Sequence, residues 1–236
     1  MDKTSINNCA QGLIVAVDGP SGAGKSTVCR IVAEDFGAKY LDTGAMYRVA
    51  TLHVLNQGID PSDTDAVIRA TSTLPLEMND DPTSKSVVLN GEDVSKEIRG
   101  AAVTKHVSAV SAIPEVRHNL VAVQRALATR AGRCILDGRD IGTNVLKDAP
   151  LKIFLSASAE VRAQRRYEQD LAAGRDSDFE TVLADVLRRD HADSTRATAP
   201  LRAAEDAIQV DTSEMTLEQV IERVTHLVIE SAGRTK

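Results

Sequence analysis

One stretch near the N-terminus constrains the fold of this chain more than any other. It runs from Gly19 to Ser26 and consists of a glycine, four further residues and Gly-Lys-Ser. The apolar run Leu13 to Val17 precedes it, and a helix-forming stretch, Thr27 to Phe36, follows. A buried strand, a glycine-rich loop and a helix in this order are typical of a phosphate-binding loop (P-loop).

Each part of this loop has a physical role in holding a nucleoside triphosphate. Glycines let successive backbone N–H groups turn toward phosphate oxygens, and the N-terminus of the following helix attracts the same anion. Lys25 is expected to reach the β- and γ-phosphates, and the Ser26 hydroxyl to hold Mg²⁺. The predicted triphosphate-binding residues are Gly19, Pro20, Ser21, Gly22, Ala23, Gly24, Lys25, Ser26 and Thr27.

Short apolar runs alternate with helical stretches along the chain, which predicts an α/β fold. Such alternation produces a parallel sheet with right-handed crossovers and helices on both faces. Ligands are then expected beyond the carboxyl ends of the strands, where the loop 19–26 and the segments 42–48 and 137–140 should meet. The five predicted strands are 13–17, 39–41, 134–136, 152–155 and 207–210.

Helix signals, and a change from helical patterns to short strands and turns, divide the sequence into further segments. Thr43 is a predicted N-cap of a helix ending at Gly58, and Asp60 to Thr73 is predicted as a helix with Pro61 in its first turn. Leu74 to Glu97 contains two short strand patterns, 74–78 and 86–89, around turn residues, and is predicted to be a small β insert. Two later helices are predicted over 101–112 and 114–131. A helical hairpin is predicted from Ser158 to about Asp193, broken near Gly174. The last predicted helix runs from Thr216 to about Ile229, with Gln219 in a capping box.

These elements predict a core with two excursions. The P-loop core comprises 12–58, 133–157 and 200–236. A monophosphate-binding region comprises 59–132, with the β insert at about 74–97, and an arginine-rich lid and clamp comprises 158–199.

Composition narrows the class of protein. Of 236 residues, 42% are apolar and only 3% aromatic, so the core must be aliphatic. A net charge of −6 argues against general nucleic-acid binding, which selects for positive surfaces. Three scattered cysteines, Cys9, Cys29 and Cys134, and no targeting segment favour a cytoplasmic protein with reduced thiols. The five histidines lack metal-ligand spacing, which argues against zinc, and we expect a monomer that does not bind membranes.

Arginines are concentrated where a second substrate would bind. Seven arginines and no lysine lie between Arg162 and Arg196, and arginine suits bidentate phosphate recognition. The chain lacks Asn-Lys-x-Asp and has no strand ending in a pair of acids, which disfavours a GTPase or an ATPase machine. A monophosphate acceptor is already anionic near neutral pH (second pKa ~6), so no general base is needed. We also expect the arginines to repel one another and open the lid when no phosphate is bound.

Five stretches together resemble the bacterial cytidylate kinases, over about Leu13 to Val228. The P-loop is shared by many families, whereas Asp-Gly-Arg-Asp and Arg-Asp…Asp…Arg are more specific. The stretches are 19–26, 41–48, 91–95, 137–143 and 189–196.

The resemblance implies transfer of the ATP γ-phosphate to CMP or dCMP, with Mg²⁺, and implies roles for individual residues. Ser108, Arg117 and Asp140 would read cytosine, and Arg189 and Asp193 would contact the sugar hydroxyls. The acceptor phosphate would be held by Arg48, Arg139 and Arg196, in a pocket lined by Thr43 and Tyr47. Arg162 and Arg166 would close over ATP. The catalytic group would be Lys25, Arg139, Arg189 and Arg196.

The residues expected to read the base suit the chemistry of cytosine. Its amine donates a hydrogen bond and its ring nitrogen and carbonyl accept, so a carboxylate beside an arginine complements that edge. Uracil would set a carbonyl against the carboxylate at a cost of about 1–3 kcal/mol. Two alternatives stay open, a P-loop kinase for another small acceptor such as AMP or shikimate, and a non-catalytic ATP sensor.

Overall fold

The computed structural model describes residues 12–234 of the chain, so that Cys9 lies outside the described residues. Its first half begins with a strand, the P-loop and a helix, and ends with two helices in succession. The elements are β1 (Ile14–Asp18), α1 (Lys25–Asp35), β2 (Lys39–Asp42), α2 (Thr43–Asn56), α3 (Thr64–Thr71), β3 (Leu76–Met78), β4 (Val87–Leu89), β5 (Glu92–Asp93), a 3₁₀ turn (Glu97–Arg99), α4 (Ala101–Ala112) and α5 (Pro114–Ala131).

The second half returns to the main sheet three times. A π-helical turn follows its first strand, and a helical hairpin separates the other two. The elements are β6 (Cys134–Gly138), the π-helical turn (Ile141–Val145), β7 (Leu151–Ser156), α6 (Ala159–Ala172), α7 (Phe179–Thr195), β8 (Ile208–Asp211) and α8 (Leu217–Arg234). Between residues 12 and 234, no helix combines the length and apolar character needed to cross a membrane.

Five parallel strands form the main sheet in the order β2-β6-β1-β7-β8, which confirms the predicted α/β architecture. Side chains along each strand alternate between the two faces. Val15 and Val17 belong to the cluster that includes α1 and α8, whereas Ala16 belongs to the cluster that includes Val121 and Ala128 of α5. Because both faces of the sheet are covered, the central strand β1 is continuously apolar from Ile14 to Val17, and it delivers the P-loop from the centre of the sheet.

Two helix starts differ from the sequence-based prediction. The N-cap of α2 is Asp42, whose carboxylate accepts from the Ala45 N–H at 2.8 Å. Thr43 is not the cap, because its hydroxyl donates to the Asp137 carbonyl at 2.7 Å. Likewise α3 is capped by Asp63 and begins at Thr64, since the residues around Pro61 form a turn closed by hydrogen bonds to the Asp60 carboxylate.

The β insert is confirmed and contains one more strand than predicted. The residues Asn90 and Gly91, with φ of 54° and 80°, turn the chain so that Glu92–Asp93 pairs antiparallel with β4. The insert also covers the edge of the main sheet. The Tyr40 N–H of edge strand β2 donates to the Asp80 carbonyl at 2.9 Å, which removes part of an open strand edge.

The start of the P-loop packs so tightly that only glycine fits there. A Cβ on Gly19, whose φ is +149°, would lie 1.9 Å from the Leu155 carbonyl oxygen of the neighbouring strand β7. Gly37 after α1 also has a positive φ, of +56°, but no atom lies within 4 Å of a Cβ there. A side chain at Gly37 would therefore meet backbone strain alone, whereas a side chain at Gly19 would also clash with Leu155.

We expect Gly19→Ala to lower the free energy of unfolding by about 3 kcal/mol or more, because overpacking adds to backbone strain. Gly37→Ala should cost only the strain, about 1–2 kcal/mol. Urea denaturation of the two variants and the wild type measures both. Equal losses for the two variants would contradict the close contact with Leu155.

Candidate active site

A cleft of about 1220 Å³ lies at the carboxyl ends of the strands. It brings together nearly all the residues that the sequence singled out, including Thr27, whose side chain is exposed. Only Gly19 and Pro20 of those residues are absent from its lining. The candidate residues that line it are Ser21, Gly22, Ala23, Gly24, Lys25, Ser26, Thr27, Thr43, Tyr47, Arg48, Ser108, Arg117, Arg139, Asp140, Arg162, Arg166, Arg189, Asp193 and Arg196.

Lys25 is buried against the P-loop itself. Its Nζ donates to the carbonyls of Gly19 and Pro20 at 2.7 and 2.8 Å. Burial, with the positive charge of Arg139 as the next cause, lowers the pKa of Lys25 to about 7, while Asp137 opposes the shift. An anion placed in the loop would favour the charged ammonium, so Lys25 is suited to bind phosphate oxygens.

Two acidic side chains meet beside Ser26, from the ends of neighbouring strands. The Ser26 hydroxyl donates to Asp137 Oδ2 at 2.7 Å. Asp137 ends β6 opposite Asp42 at the end of β2. Burial raises the pKa of Asp137 to about 6, and the charge of Asp42 contributes in the same direction. A hydroxyl and a carboxylate at this place form an oxygen-rich position that fits Mg²⁺.

Three arginines in the cleft are close enough to perturb one another. Burial lowers the pKa of Arg48 to about 10, with Arg189 as the next cause, and burial lowers the pKa of Arg189 to about 10, with Arg139 as the next cause. Arg48 Nη1 donates to the Ile98 carbonyl at 2.9 Å, while Arg139 Nε contacts Asp193 Oδ2 at 3.0 Å. This part of the cleft is therefore strongly attractive to a multivalent anion.

A buried ion pair forms another part of the cleft. Arg117 Nη2 donates to Asp140 Oδ2 at 2.5 Å, and both side chains are at most 5% exposed. The Arg117 guanidinium also lies 5.1 Å from the centre of the Tyr47 ring, and its Nη1 donates to the Ser111 carbonyl at 3.0 Å. Ser108 is half-buried on α4 and lines the same cleft.

Arg196 lies close to this pair. Its Nη2 is 3.6 Å from Asp140 Oδ1, and its Nε donates to the Ala199 carbonyl at 2.8 Å. Burial lowers the pKa of Arg196, and the charge of Arg117 lowers it further. Arg196 and Asp193 thus belong to one charged network with Arg117 and Asp140.

Two arginines of the α6–α7 hairpin, Arg162 and Arg166, are paired with carboxylates, whereas Arg189 keeps the expected repulsion from Arg166 and Arg188. Arg162 binds Asp190 in a bidentate manner at 3.0 and 2.5 Å, and its Nη1 donates to the Ser21 carbonyl at 3.1 Å. Arg166 contacts Asp170 at 3.1 Å. These carboxylates neutralise Arg162 and Arg166 locally, and the contact of Arg162 with Ser21 holds the hairpin against the P-loop. Counting arginines alone does not predict this arrangement.

Comparison with known proteins agrees with this geometry. A family model for cytidylate kinases matches residues 15–230. The chain is 68% identical to the cytidylate kinase of Corynebacterium glutamicum over 226 residues, covering 96% of this chain and 98% of the relative. It is 69% identical to the enzyme of Corynebacterium diphtheriae, with 95% and 97% covered. It is 61% identical to that of Rhodococcus opacus, with 94% and 96% covered.

The chain belongs to the cytidylate kinase family. It is therefore a phosphotransferase, and the interpretation as a non-catalytic sensor is wrong. The five-stranded parallel sheet with its P-loop is the fold of a P-loop nucleoside monophosphate kinase.

The sequence analysis gave no role to several residues that contact the cleft. Asp42 and Asp137 begin two segments that were predicted to meet, but neither received a role, because a pair of acids was sought at the end of one strand, whereas the sheet aligns them from two strands. Asn144 donates to Asp140 Oδ2 at 2.9 Å and lies one residue beyond the stretch 137–143 that carries the family resemblance. The available signals were the strand-terminal position of Asp137 and the i, i+4 spacing of Asp140 and Asn144.

Asp18 is a further buried residue that supports the site. It ends β1 directly before Gly19, and its two oxygens accept from the N–H groups of Ile141 and Gly142 at 2.7 and 2.8 Å. Asp18 thereby ties the start of the P-loop to the turn that follows Asp140. Burial raises the pKa of Asp18 to about 6, although the two N–H groups oppose the shift.

The raised pKa predicts a pH-dependent contribution to stability. Because the folded-state pKa of Asp18 exceeds its ordinary value of 3.8, the folded protein binds more protons between these values than the unfolded chain. The resulting stabilisation is complete below about pH 4 and is lost as the pH rises through about 6. We expect the wild type to lose stability relative to Asp18→Asn as the pH rises from about 4 to about 7.

Urea denaturation of both proteins at several pH values measures this difference. Asp148→Asn, which removes an exposed carboxylate, corrects for the general effect of one charge. A wild type that gains stability relative to Asp18→Asn over the same interval would contradict the raised pKa.

Proposed function

We propose that this enzyme transfers the γ-phosphate of ATP to CMP and dCMP. The observation that carries the proposal is a line of positive charge within one cleft. Arg139 is an electrostatic neighbour of Lys25 on the P-loop and also of Arg48 and Arg189. A triphosphate at Lys25 and a monophosphate at Arg48 and Arg139 would be adjacent. Family membership supports the same reaction.

The donor side is assigned to the P-loop and the hairpin. Residues Gly19 to Thr27 would surround the ATP phosphates, with Lys25 on the transferred group. Arg162 and Arg166 would exchange Asp190 and Asp170 for phosphate oxygens as the hairpin closes, so residues 158–199 act as a lid.

Mg²⁺ is the proposed cofactor, held by Ser26 and assisted by Asp137. Within residues 12–234, no group of three or more His, Cys, Asp or Glu is placed to hold a metal. Such a Mg²⁺ ion would therefore take its remaining ligands from phosphates and water, as magnesium commonly does in kinases. It would supply neutralisation of the phosphate charge.

The acceptor side is assigned by chemistry. The carboxylate of Asp140 would accept from the cytosine amine, with Arg117 and Ser108 on the remaining polar atoms of the base. Arg189 and Asp193 would bind the sugar hydroxyls. The acceptor phosphate would be held by Arg48, Arg139 and Arg196, with Thr43 and Tyr47 lining its pocket.

Catalysis then consists of alignment and charge neutralisation by Lys25, Arg139, Arg189 and Arg196. The acceptor phosphate is already ionised near neutral pH, so no general base is required. The ion pairs of Asp140 with Arg117 and of Asp193 with Arg139 support this, because both carboxylates are already engaged by arginines.

In the proposed organisation, one chain contains the donor site, the acceptor site and the lid. Residues 12–58, 133–157 and 200–236 form the core, 59–132 the monophosphate-binding region and 158–199 the lid. We propose a cytoplasmic monomer. The monomer is supported because one chain supplies candidate residues for both substrates. The cytoplasm is supported because Cys29 and Cys134 are unpaired thiols, as in a reducing compartment.

Replacing the P-loop lysine tests the donor site. We expect Lys25→Met to lower kcat by about 10²–10³-fold, because one positioned charge is lost from the transition state. Lys39→Met, which removes a half-exposed lysine paired with Asp80, should leave kcat unchanged. A coupled assay of ADP release with CMP measures both. Activity of Lys25→Met within a few-fold of the wild type would contradict the assignment.

Replacing Asp140 tests base recognition, against a panel of CMP, dCMP, UMP, AMP and shikimate. In Asp140→Asn the amide oxygen should turn toward the Arg117 and Asn144 donors that now bind Oδ2. The amide nitrogen would then face the base. We expect kcat/KM for CMP to fall by at least about 10-fold and that for UMP to fall less or to rise.

Equal losses for CMP and UMP would show that Asp140 holds the loop rather than reads the base. A wild type that prefers AMP or shikimate would refute the proposed acceptor.

A further inference from the structure

The two oxygens of the Asp140 carboxylate have different surroundings. Oδ2 accepts from Arg117 Nη2 at 2.5 Å and from Asn144 Nδ2 at 2.9 Å. Oδ1 accepts no hydrogen bond from the part of the chain that the structure describes; Arg196 Nη2 lies 3.6 Å from it. One oxygen is therefore fully engaged, and the other is left to accept a hydrogen bond from a substrate.

The amide of Asn144 can face Asp140 in only one sense. Its nitrogen donates, whereas its oxygen would be repelled by the carboxylate. We infer that Asn144 is a positioning residue for acceptor selection. It holds Oδ2 so that Oδ1 is directed at the acceptor base, and this inference rests on the proposed function.

The second donor matters because a single hydrogen bond leaves a carboxylate able to rotate. With Arg117 alone, the Asp140 carboxylate would be held by one hydrogen bond and its plane could still rotate about that contact. Asn144 adds a contact from a different element, the π-helical turn, whereas Arg117 lies on α5. Two donors on one oxygen thus determine where the other oxygen lies.

The turn itself does not depend on the Asn144 side chain. Its first two N–H groups, of Ile141 and Gly142, are bound by Asp18. At its other end, Arg125 donates to the backbone carbonyls of Asn144 and Val145 at 2.8 and 2.9 Å. A substitution of the Asn144 side chain keeps all four of these contacts, so it changes the hydrogen bond to Asp140 without removing the supports of the turn.

Two variants of Asn144 distinguish positioning from packing. Asn144→Leu keeps the approximate size and removes the donor, and Asn144→Asp keeps the shape and places a negative charge beside Asp140. We expect kcat/KM for CMP to fall about 10-fold in Asn144→Leu and further in Asn144→Asp, with UMP little changed. The loss should appear in KM for CMP, with kcat and KM for ATP within about 2-fold of the wild type.

Packing predicts the reverse order of the two variants. If Asn144 only fills space, Asn144→Asp is the milder change and Asn144→Leu the more damaging one. Lys147→Leu, an exposed position in the same loop, is the matched control and should match the wild type. Equal losses for CMP and UMP, the packing order, or Asn144 variants that behave like Lys147→Leu would each overturn the inference.

A double-mutant cycle shows whether Asn144 acts through Asp140. On the Asp140→Asn background, Asn144→Leu should change the ratio of kcat/KM for CMP to that for UMP by less than about 2-fold. A full 10-fold change on that background would also overturn the inference. A wild type without CMP activity would instead refute the proposed function, so the two failures are distinguishable.

Discussion

Repulsion among buried cations is the constraint around which the cleft is built. Lys25, Arg48, Arg139 and Arg189 come from different parts of the chain, and their burial together lowers the pKa of Lys25, Arg48 and Arg189. Such a cluster is stabilised when anions enter it, because each phosphate oxygen favours the charged form of the neighbouring cation. Strength of substrate binding and correct alignment of two phosphates therefore depend on the same electrostatic arrangement.

The sheet provides the rigid support for this cluster, and its central strand carries both substrate regions. Asp18 at the end of β1 precedes the P-loop and also binds the turn after Asp140. Gly19 passes so close to Leu155 that no side chain fits. Because protein interiors are close-packed, a shift at either position would be transmitted to the P-loop and to the ion pair of Arg117 and Asp140 together.

The hairpin of α6 and α7 is attached to the P-loop through two arginines. Arg162 is bound by Asp190 and also touches the P-loop at Ser21, while Arg189 Nη1 donates to the Ser21 hydroxyl at 3.2 Å. Phosphate oxygens would offer the same bidentate geometry as these carboxylates. In the proposed function, a lid held by exchangeable ion pairs would close over ATP with little net change in the number of charge pairs, which would favour ready movement between states.

The sequence alone determined the α/β class, the five parallel strands, both long helices of 101–112 and 114–131 and the P-loop, because apolar periodicity and glycine spacing are local properties. The resemblance added the other candidate residues, which line the cleft. The sequence did not determine which residue caps α2, that Asp42 and Asp137 lie side by side, or that Asn144 contacts Asp140. These depend on register between strands distant in the chain and on the π-helical turn. Nor did the count of seven arginines reveal that Arg162 and Arg166 are neutralised, since ion pairing requires the helices to be packed together. Tertiary structure decided these points, because hydrogen bonds and charge pairs act over a few ångströms in space, whatever the separation in sequence.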